Sequence, residues 1–513
     1  MVGASRILAP VTAANRARGV ARGSCKGAGT MRGARQFGAP AGRQGAPVTV
    51  MTQRRALLPS EWIGMAEHWA ASFRDTWRAR IGVLALYLAV AAAIVIPVVL
   101  GPGSAMSRID EPTHADYAWR AAHLEAPFAG SVISPEIRDI WACVGQERYV
   151  LPACGEDAQA WEFPYSGQQY NFSHPPLYYL SVGLPARAMD AAIDGIDFVT
   201  AARLLGVLWL AAGMYMTFIA LRRWRIDPAA AIIAPLLLPA FPRALHAVTT
   251  VNPDAAALVI GASAIWLAAR VFVDDDADWR VAAALAGVAG MTKTIGAIPF
   301  IALGALLTYR VVRGWRRAHP RGKDVALVGA MAAAILGPYA LWQAWQGGRG
   351  DPNWQNPLVG LNTRDVLGLP GSEWLETAFS GLNLVSDYYL QEPLDVALMV
   401  SWTRLLNLLL IGAVFAVIVA CAKEPARRSL GWMLLAGAVL YPTIVQAQAY
   451  LNTAVPQYFP HVTGRYGLAL IPGAVACIVI AAQKAGYRRL VYLLSLAGLV
   501  VLGIVIVNGW RVI

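Results

Sequence analysis

The chain is 513 residues long, 57% hydrophobic and 14% charged, with a mean hydropathy of +0.48. These values exclude an ordinary soluble domain and describe an integral membrane protein. The net charge of +12 suggests a nucleic-acid partner, but residues 1–80 alone hold thirteen Lys/Arg against Glu61, Glu67 and Asp75, and no binding module can be read there, so no nucleic acid is expected.

That leader, rich in Arg, Gly and Ala, reads as a disordered cytoplasmic segment. Met51 and Met65 are alternative starts. Residues 81–510 form the membrane domain, an all-α integral membrane bundle. Its apolar runs predict about eleven spans: 82–101, 200–221, 229–247, 254–272, 281–292, 295–312, 325–345, 402–422, 430–447, 466–482 and 489–508. The fifth is short enough to be broken or re-entrant.

Orientation follows from the basic loops. Arg222, Arg223 and Arg225 follow the second span, Arg310 to Lys323 the sixth, Lys423 to Arg428 the eighth, and Lys484 to Arg489 the tenth. All face the cytoplasm if the N-terminus does. Counting His174-Pro175-Pro176-Leu177-Tyr178-Tyr179 as the start of a span would invert everything after it, so an interfacial helix is expected there. Two long extracytoplasmic loops result, over 102–199 and 346–401. The first contains Cys143 and Cys154, which an oxidising compartment would allow to pair. Cys421 and Cys477 sit within spans and read as packing residues.

Ionisable residues gather at the outer ends of these spans. Asp110 and Glu111 follow the first span, His174 opens the interfacial helix, and His246, Asn252 and Asp254 lie between the third and fourth spans. Lys293 divides the fifth from the sixth, and Arg465 opens the tenth. Each has a plain structural reading beside the chemical one. Asp110 or Glu111 would cap a helix starting at Pro112, and Asn252 and Asp254 would cap the fourth span. Lys293 and Arg465 would snorkel to the interface. His174 would be a turn residue, and His246 a satisfied histidine. Acids and cations from separate loops on one face suit an acidic base together with cationic binding of an anion such as a phosphate.

In their order these motifs resemble the GT-C superfamily of membrane glycosyltransferases, closest to bacterial relatives of protein mannosyltransferases and of the lipid A aminoarabinose transferase. The residues that carry the resemblance are Asp110-Glu111, the Pro-Pro-Leu-Tyr-Tyr helix, Asn252-x-Asp254, Thr292-Lys293 and Arg465-Tyr466, over about residues 82–480. Relatives often have lysine before the Pro-Pro helix, where this chain has His174.

The resemblance implies a polyprenyl-phosphate-linked sugar donor drawn from the lipid bilayer. The acceptor would be an envelope glycan, lipid or protein at the extracytoplasmic face of a bacterial cytoplasmic membrane. It implies Asp110 as general base, with Glu111 orienting it or holding a sugar hydroxyl. Lys293, Arg465 and His174 would hold the donor phosphate, and Asp254, Asn252 and His246 would orient acceptor or sugar. Transfer would be a single, inverting displacement. A divalent cation on Asp110, Glu111 and His114, which share a helical face by spacing, is an open alternative. A polytopic transporter or flippase of a lipid-linked precursor is the rival function, although no internal repeat supports it, and a non-catalytic scaffold is a third reading.

Overall fold

The computed structural model describes residues 76–101, 105–107, 109–146, 149–316, 322–358, 363–366, 371, 395–451, 456–460 and 462–507. The expected leader lies outside them up to residue 75, as does most of 359–394. The protein is an all-α polytopic membrane bundle. Among the described residues nine helices are long and apolar enough to cross a bilayer, or ten if one bent pair is a single span.

The first span, α1 (Trp77–Val99), starts where Thr76 Oγ1 accepts the Ala79 N–H. It therefore begins before the predicted Gly82 and includes Arg78 and Arg80, whose long stems tolerate a membrane edge. Val83, Tyr87, Ala91, Ile94 and Val98 are buried, while Ile81, Leu86 and Ile96 face outward. A helix apolar all round has one face for protein and the rest for lipid. Three helices follow in the long loop: α2 (Glu111–Ala122), α3 (Pro135–Val144) and α4 (Leu177–Ala192). The 16-residue α4 is the helix expected after Pro175-Pro176 and is not among the nine spanning candidates.

The second span joins α5 (Phe198–Leu204) to α6 (Gly206–Arg223). The third is the bent pair. Its first arm, α7 (Pro228–Ile233) and a 3-10 turn to Ala240, meets α8 (Pro242–Thr249) at 76°. Pro239 and Pro242 remove the amide donors that a straight helix would need there. The fourth span holds α9 (Ala257–Phe272).

The predicted fifth span is α10 (Trp279–Thr292), whose 14 residues reach about 21 Å, short of the roughly 30 Å apolar core of a bilayer. The chain turns at Lys293 and continues as α11 (Ile298–Trp315). Then come α12 (Gly322–Gly347), α13 (Asp395–Ala420), α14 (Pro425–Leu451), α15 (Ile471–Lys484) and α16 (Arg488–Val507).

Small residues let these helices touch. A Cβ on Gly206 would lie 1.6 Å from the Val248 carbonyl oxygen, and one on Gly261 would lie 1.9 Å from that of Ala469. Backbones this close give the dense packing that replaces the hydrophobic effect between helices in lipid. They also fix α5–α6 against α8, and α9 against the chain just before α15. The only strands among the described residues, β1 (Arg364–Asp365) and β2 (Gln457–Tyr458), pair antiparallel and link the second long loop to the segment before Arg465.

Candidate active site

Asp110 stands at the head of α2 in the left-handed region, at φ 61°. Aspartate is among the few residues that visit it readily, and such backbone is concentrated at functional sites. Its side chain makes no helix-capping bond, so the capping reading does not describe it. Instead Oδ2 accepts from Arg465 Nη2 at 3.0 Å and Oδ1 from the Tyr170 hydroxyl at 3.2 Å. The pair stays partly open, with about a fifth of each side chain exposed. Burial and the Asp110 charge push the Tyr170 phenol well above its usual range, so it stays a protonated donor. Arg465 Nη1 is buried with no hydrogen-bond partner among the described residues, a donor left for something else.

Glu111 faces the other way. Its carboxylate is fully buried and takes a two-point ion pair from Arg203, Nε to Oε1 at 2.8 Å and Nη2 to Oε2 at 2.7 Å. It also accepts the Ser107 N–H at 2.6 Å and the Val251 N–H at 2.9 Å. These bonds tie the start of α2 to α5 and to the turn after α8. Every direction around the carboxylate is filled, so orienting Asp110 or holding a sugar hydroxyl is not what its contacts do.

Lys293 Nζ donates to Asp254 Oδ1 at 2.6 Å, and both side chains are buried. Asp254 lies in the 3-10 turn that opens the fourth span, where Asn252 Oδ1 accepts its N–H at 2.9 Å. Asn252 is thus a cap, and its own N–H reaches the Tyr178 hydroxyl at 3.0 Å. Tyr466 joins the two cations, with Lys293 Nζ 5.5 Å and Arg465 Cζ 5.3 Å from its ring centroid.

The histidines have different surroundings. His246 Nε2 and Ser107 Oγ share a hydrogen bond at 2.9 Å, behind Glu111. His114 Nδ1 shares one with the Tyr179 hydroxyl at 2.9 Å. Its ring centroid lies 5.8 Å from that of His174. His174 is half-buried, and its carbonyl accepts from the Tyr117 hydroxyl at 2.9 Å. Burial first, then Lys293, lower its pKa to about 4, against smaller upward pulls from Asp254 and Asp110. Burial, with His174, Lys293 and Arg465, also drives His114 well below the usual histidine range. At neutral pH His174 therefore offers an N–H or a lone pair but no charge.

Asp110, Asp254, Lys293, Arg465, His114 and His174 come together at the end of the bundle that carries the long loop. The proposed divalent set does not form. Glu111 is turned to Arg203, and among the described residues no three His, Cys, Asp or Glu are placed to hold a metal ion. A helical face brings residues near in register but does not aim their side chains at one point.

The loop around the site is braced. Cys143 and Cys154 form a disulfide. Asp116 in α2 accepts from Arg120, Gln169 and the Ser134 N–H. From α12, Trp342 and Gln343 donate to the Ser173 carbonyl at 3.1 and 2.8 Å. Sequence reasoning missed Arg203 and Tyr170. An arginine in the first turns of an apolar span was the available signal for Arg203; a tyrosine in a tyrosine-rich loop gives none.

Residues 190–342 match the sequence model of the dolichyl-phosphate-mannose-protein mannosyltransferase family. Together with the apolar helices, this match supports a GT-C-like membrane glycosyltransferase. The match covers less than a third of the chain. It includes Arg203, His246, Asn252, Asp254 and Lys293, while Asp110, Glu111, His174 and Arg465 lie outside it. No curated protein matches the chain. The glycosyltransferase resemblance read from the ordered motifs thus has independent support in the middle of the sequence.

Proposed function

We propose that this glycosyltransferase moves a sugar from a polyprenyl-phosphate donor to an acceptor hydroxyl, at the extracytoplasmic face of a bacterial cytoplasmic membrane, with Asp110 as general base. The observation that carries the reading is the Asp110 carboxylate, held on one oxygen by Arg465 and on the other by Tyr170, with Lys293 across Tyr466. An acid fixed from two sides and still partly open can take a proton from an incoming hydroxyl.

In the reaction the acceptor oxygen forms its bond to the anomeric carbon as its proton passes to Asp110. The bond from that carbon to the phosphate oxygen breaks, and the lipid phosphate leaves with the electron pair. Attack opposite the leaving group inverts the anomeric centre. Lys293 and the free N–H of Arg465 face the growing phosphate charge, which counts for most where water is scarce. His174 contributes at most a neutral hydrogen bond. Asp254 keeps Lys293 in place, Asn252 shapes the turn that carries Asp254, and Glu111 is a positioning residue that fixes the start of α2.

The test is release of free polyprenyl phosphate from a labelled lipid-linked sugar by the purified protein. Wild type is expected to release it and Asp110→Asn to lose release by two to four orders of magnitude, as removal of a general base does. Full activity in Asp110→Asn refutes the base. Movement of intact donor across the membrane without release refutes transfer.

A further inference from the structure

Three tyrosines form a continuous row that ends on Asp110. The Tyr170 hydroxyl donates to Asp110 Oδ1 at 3.2 Å. Its ring meets Tyr165 edge-on, centroids 6.1 Å apart. Tyr165 in turn meets Tyr149 edge-on at 6.4 Å, their hydroxyls 3.2 Å apart. Tyr170 is half-buried, while Tyr165 and Tyr149 are 38% and 37% exposed. The row therefore runs from the candidate base to the surface.

Local backbone is strained to hold it. Tyr165 and Ser166 both lie in the left-handed region, at φ 55° and 54°. A bulky side chain there is uncommon, and two in succession persist only where surrounding structure enforces them. Gly167 follows at φ 59°, where a Cβ would stand 2.7 Å from the Ala160 carbonyl oxygen. At the other end, Tyr149 sits inside the short loop closed by the Cys143–Cys154 disulfide. Both outer rings thus sit on constrained stretches of the loop.

We propose that this tyrosine row is the acceptor subsite and that the acceptor is an uncharged glycan. The proposal rests on the reading of Asp110 as the base. A sugar ring has C–H faces that stack on aromatic rings and hydroxyls at its rim. Flat amphipathic phenols match both, offering an apolar body with a polar handle. An acyl chain would gain nothing from the hydroxyls. A phosphorylated headgroup would be repelled by the acids Glu156, Asp157 and Glu162, which are exposed along this loop. Arg148, next to Tyr149, is offset in the sequence by Glu147. A glycan lying along the row would bring its terminal hydroxyl to Asp110.

The test is saturation-transfer NMR on the full chain in detergent, with mannotriose, maltotriose and arabinotriose as neutral probes and glucose-1-phosphate as the charged one. Wild type is expected to bind at least one trisaccharide in preference to the phosphorylated sugar. Tyr165→Ala and Tyr149→Ala are expected to weaken that binding at least fivefold, and Tyr165→Phe, which keeps the ring, by less than twofold. No trisaccharide binding to wild type, unchanged binding in both alanine variants, or preference for the phosphorylated sugar overturns the proposal. Because binding is read without turnover, activity surviving in Asp110→Asn would refute the base while leaving this result standing.

Discussion

Arg465 Nη2 and Asp110 Oδ2 meet at 3.0 Å although 355 positions separate them in the chain. One belongs to the loop after the first span, the other to the first turn of the span that contains α15. Replacing Arg465 by lysine keeps the charge but loses the planar fork that reaches Asp110 and still has an unused N–H. Arg465→Lys is expected to lower kcat about tenfold or more, and Arg465→Met further, with thermal stability close to wild type because the pair is partly solvated. Initial rates of polyprenyl-phosphate release check this; wild-type kcat in Arg465→Lys would show that charge alone suffices.

Glu111 and Arg203 predict a different outcome. Both are buried, so Glu111→Gln removes the carboxylate that meets the Arg203 guanidinium at two points, and breaking a buried pair in this way typically costs about 3–5 kcal/mol. The variant is expected to unfold at a markedly lower temperature. Glu111→Gln combined with Arg203→Met should recover part of the loss, because the buried guanidinium is gone. Melting curves of the two singles and the double settle the matter, and strictly additive losses would argue against coupling.

Lys293 and Asp254 form the second buried pair, but here the cation is assigned a chemical role. Lys293→Met is expected to abolish turnover and destabilise the fold. Adding Asp254→Asn should restore stability without restoring turnover. A double variant regaining activity would remove Lys293 from phosphate binding.

His174 sets a pH dependence. Its imidazole falls from 6.5 to about 4 on folding, so between these limits the unfolded chain binds more protons than the folded one. Stability contributed by the neutral ring is full above pH 6.5 and declines as pH drops toward 4. His174→Asn is expected to lose less stability than wild type between pH 7 and pH 5. Equal losses in thermal melts would exclude His174 as a source. His114 is also lowered by burial and remains in the variant, so part of the decline should persist.

Gly206 abuts the Val248 carbonyl, with no room for a methyl group. Gly206→Ala must separate α6 from the end of α8, at a cost of about 1–3 kcal/mol. It should also weaken transfer, since Arg203 in α5, just before α6, and the Val251 N–H in the turn after α8 both hold Glu111. A melting temperature equal to wild type would contradict this packing.

Much of the bundle was legible because a bilayer imposes length and polarity on each span. The stretch over 281–292 was legible as too short for an ordinary span, and its helix has 14 residues; the bend between Ala240 and Pro242 within the expected third span was not. Ionisable residues at span ends found Asp110, Asp254, Lys293 and Arg465, since charge held at that depth needs a partner or a task. Their pairing was not legible. The opposite aims of Asp110 and Glu111 depend on one left-handed residue, which composition and spacing do not encode. The tyrosine row was hidden for another reason: tyrosines are common near membrane surfaces, and only contacts distinguish these three.

The two ion pairs at the candidate centre have a kinetic meaning. Asp110 and Asp254 balance Arg465 and Lys293, and His114 and His174 are uncharged near neutrality, so the resting cluster carries no excess positive charge. A lipid-linked sugar phosphate would arrive with one negative charge and depart, stripped of its sugar, with a second. Once Asp110 has released to solvent the proton it took from the acceptor, no surplus of cations remains to trap that product. On this reading the spent carrier should dissociate readily, and added polyprenyl phosphate should be a weak inhibitor even though two cations attend its formation.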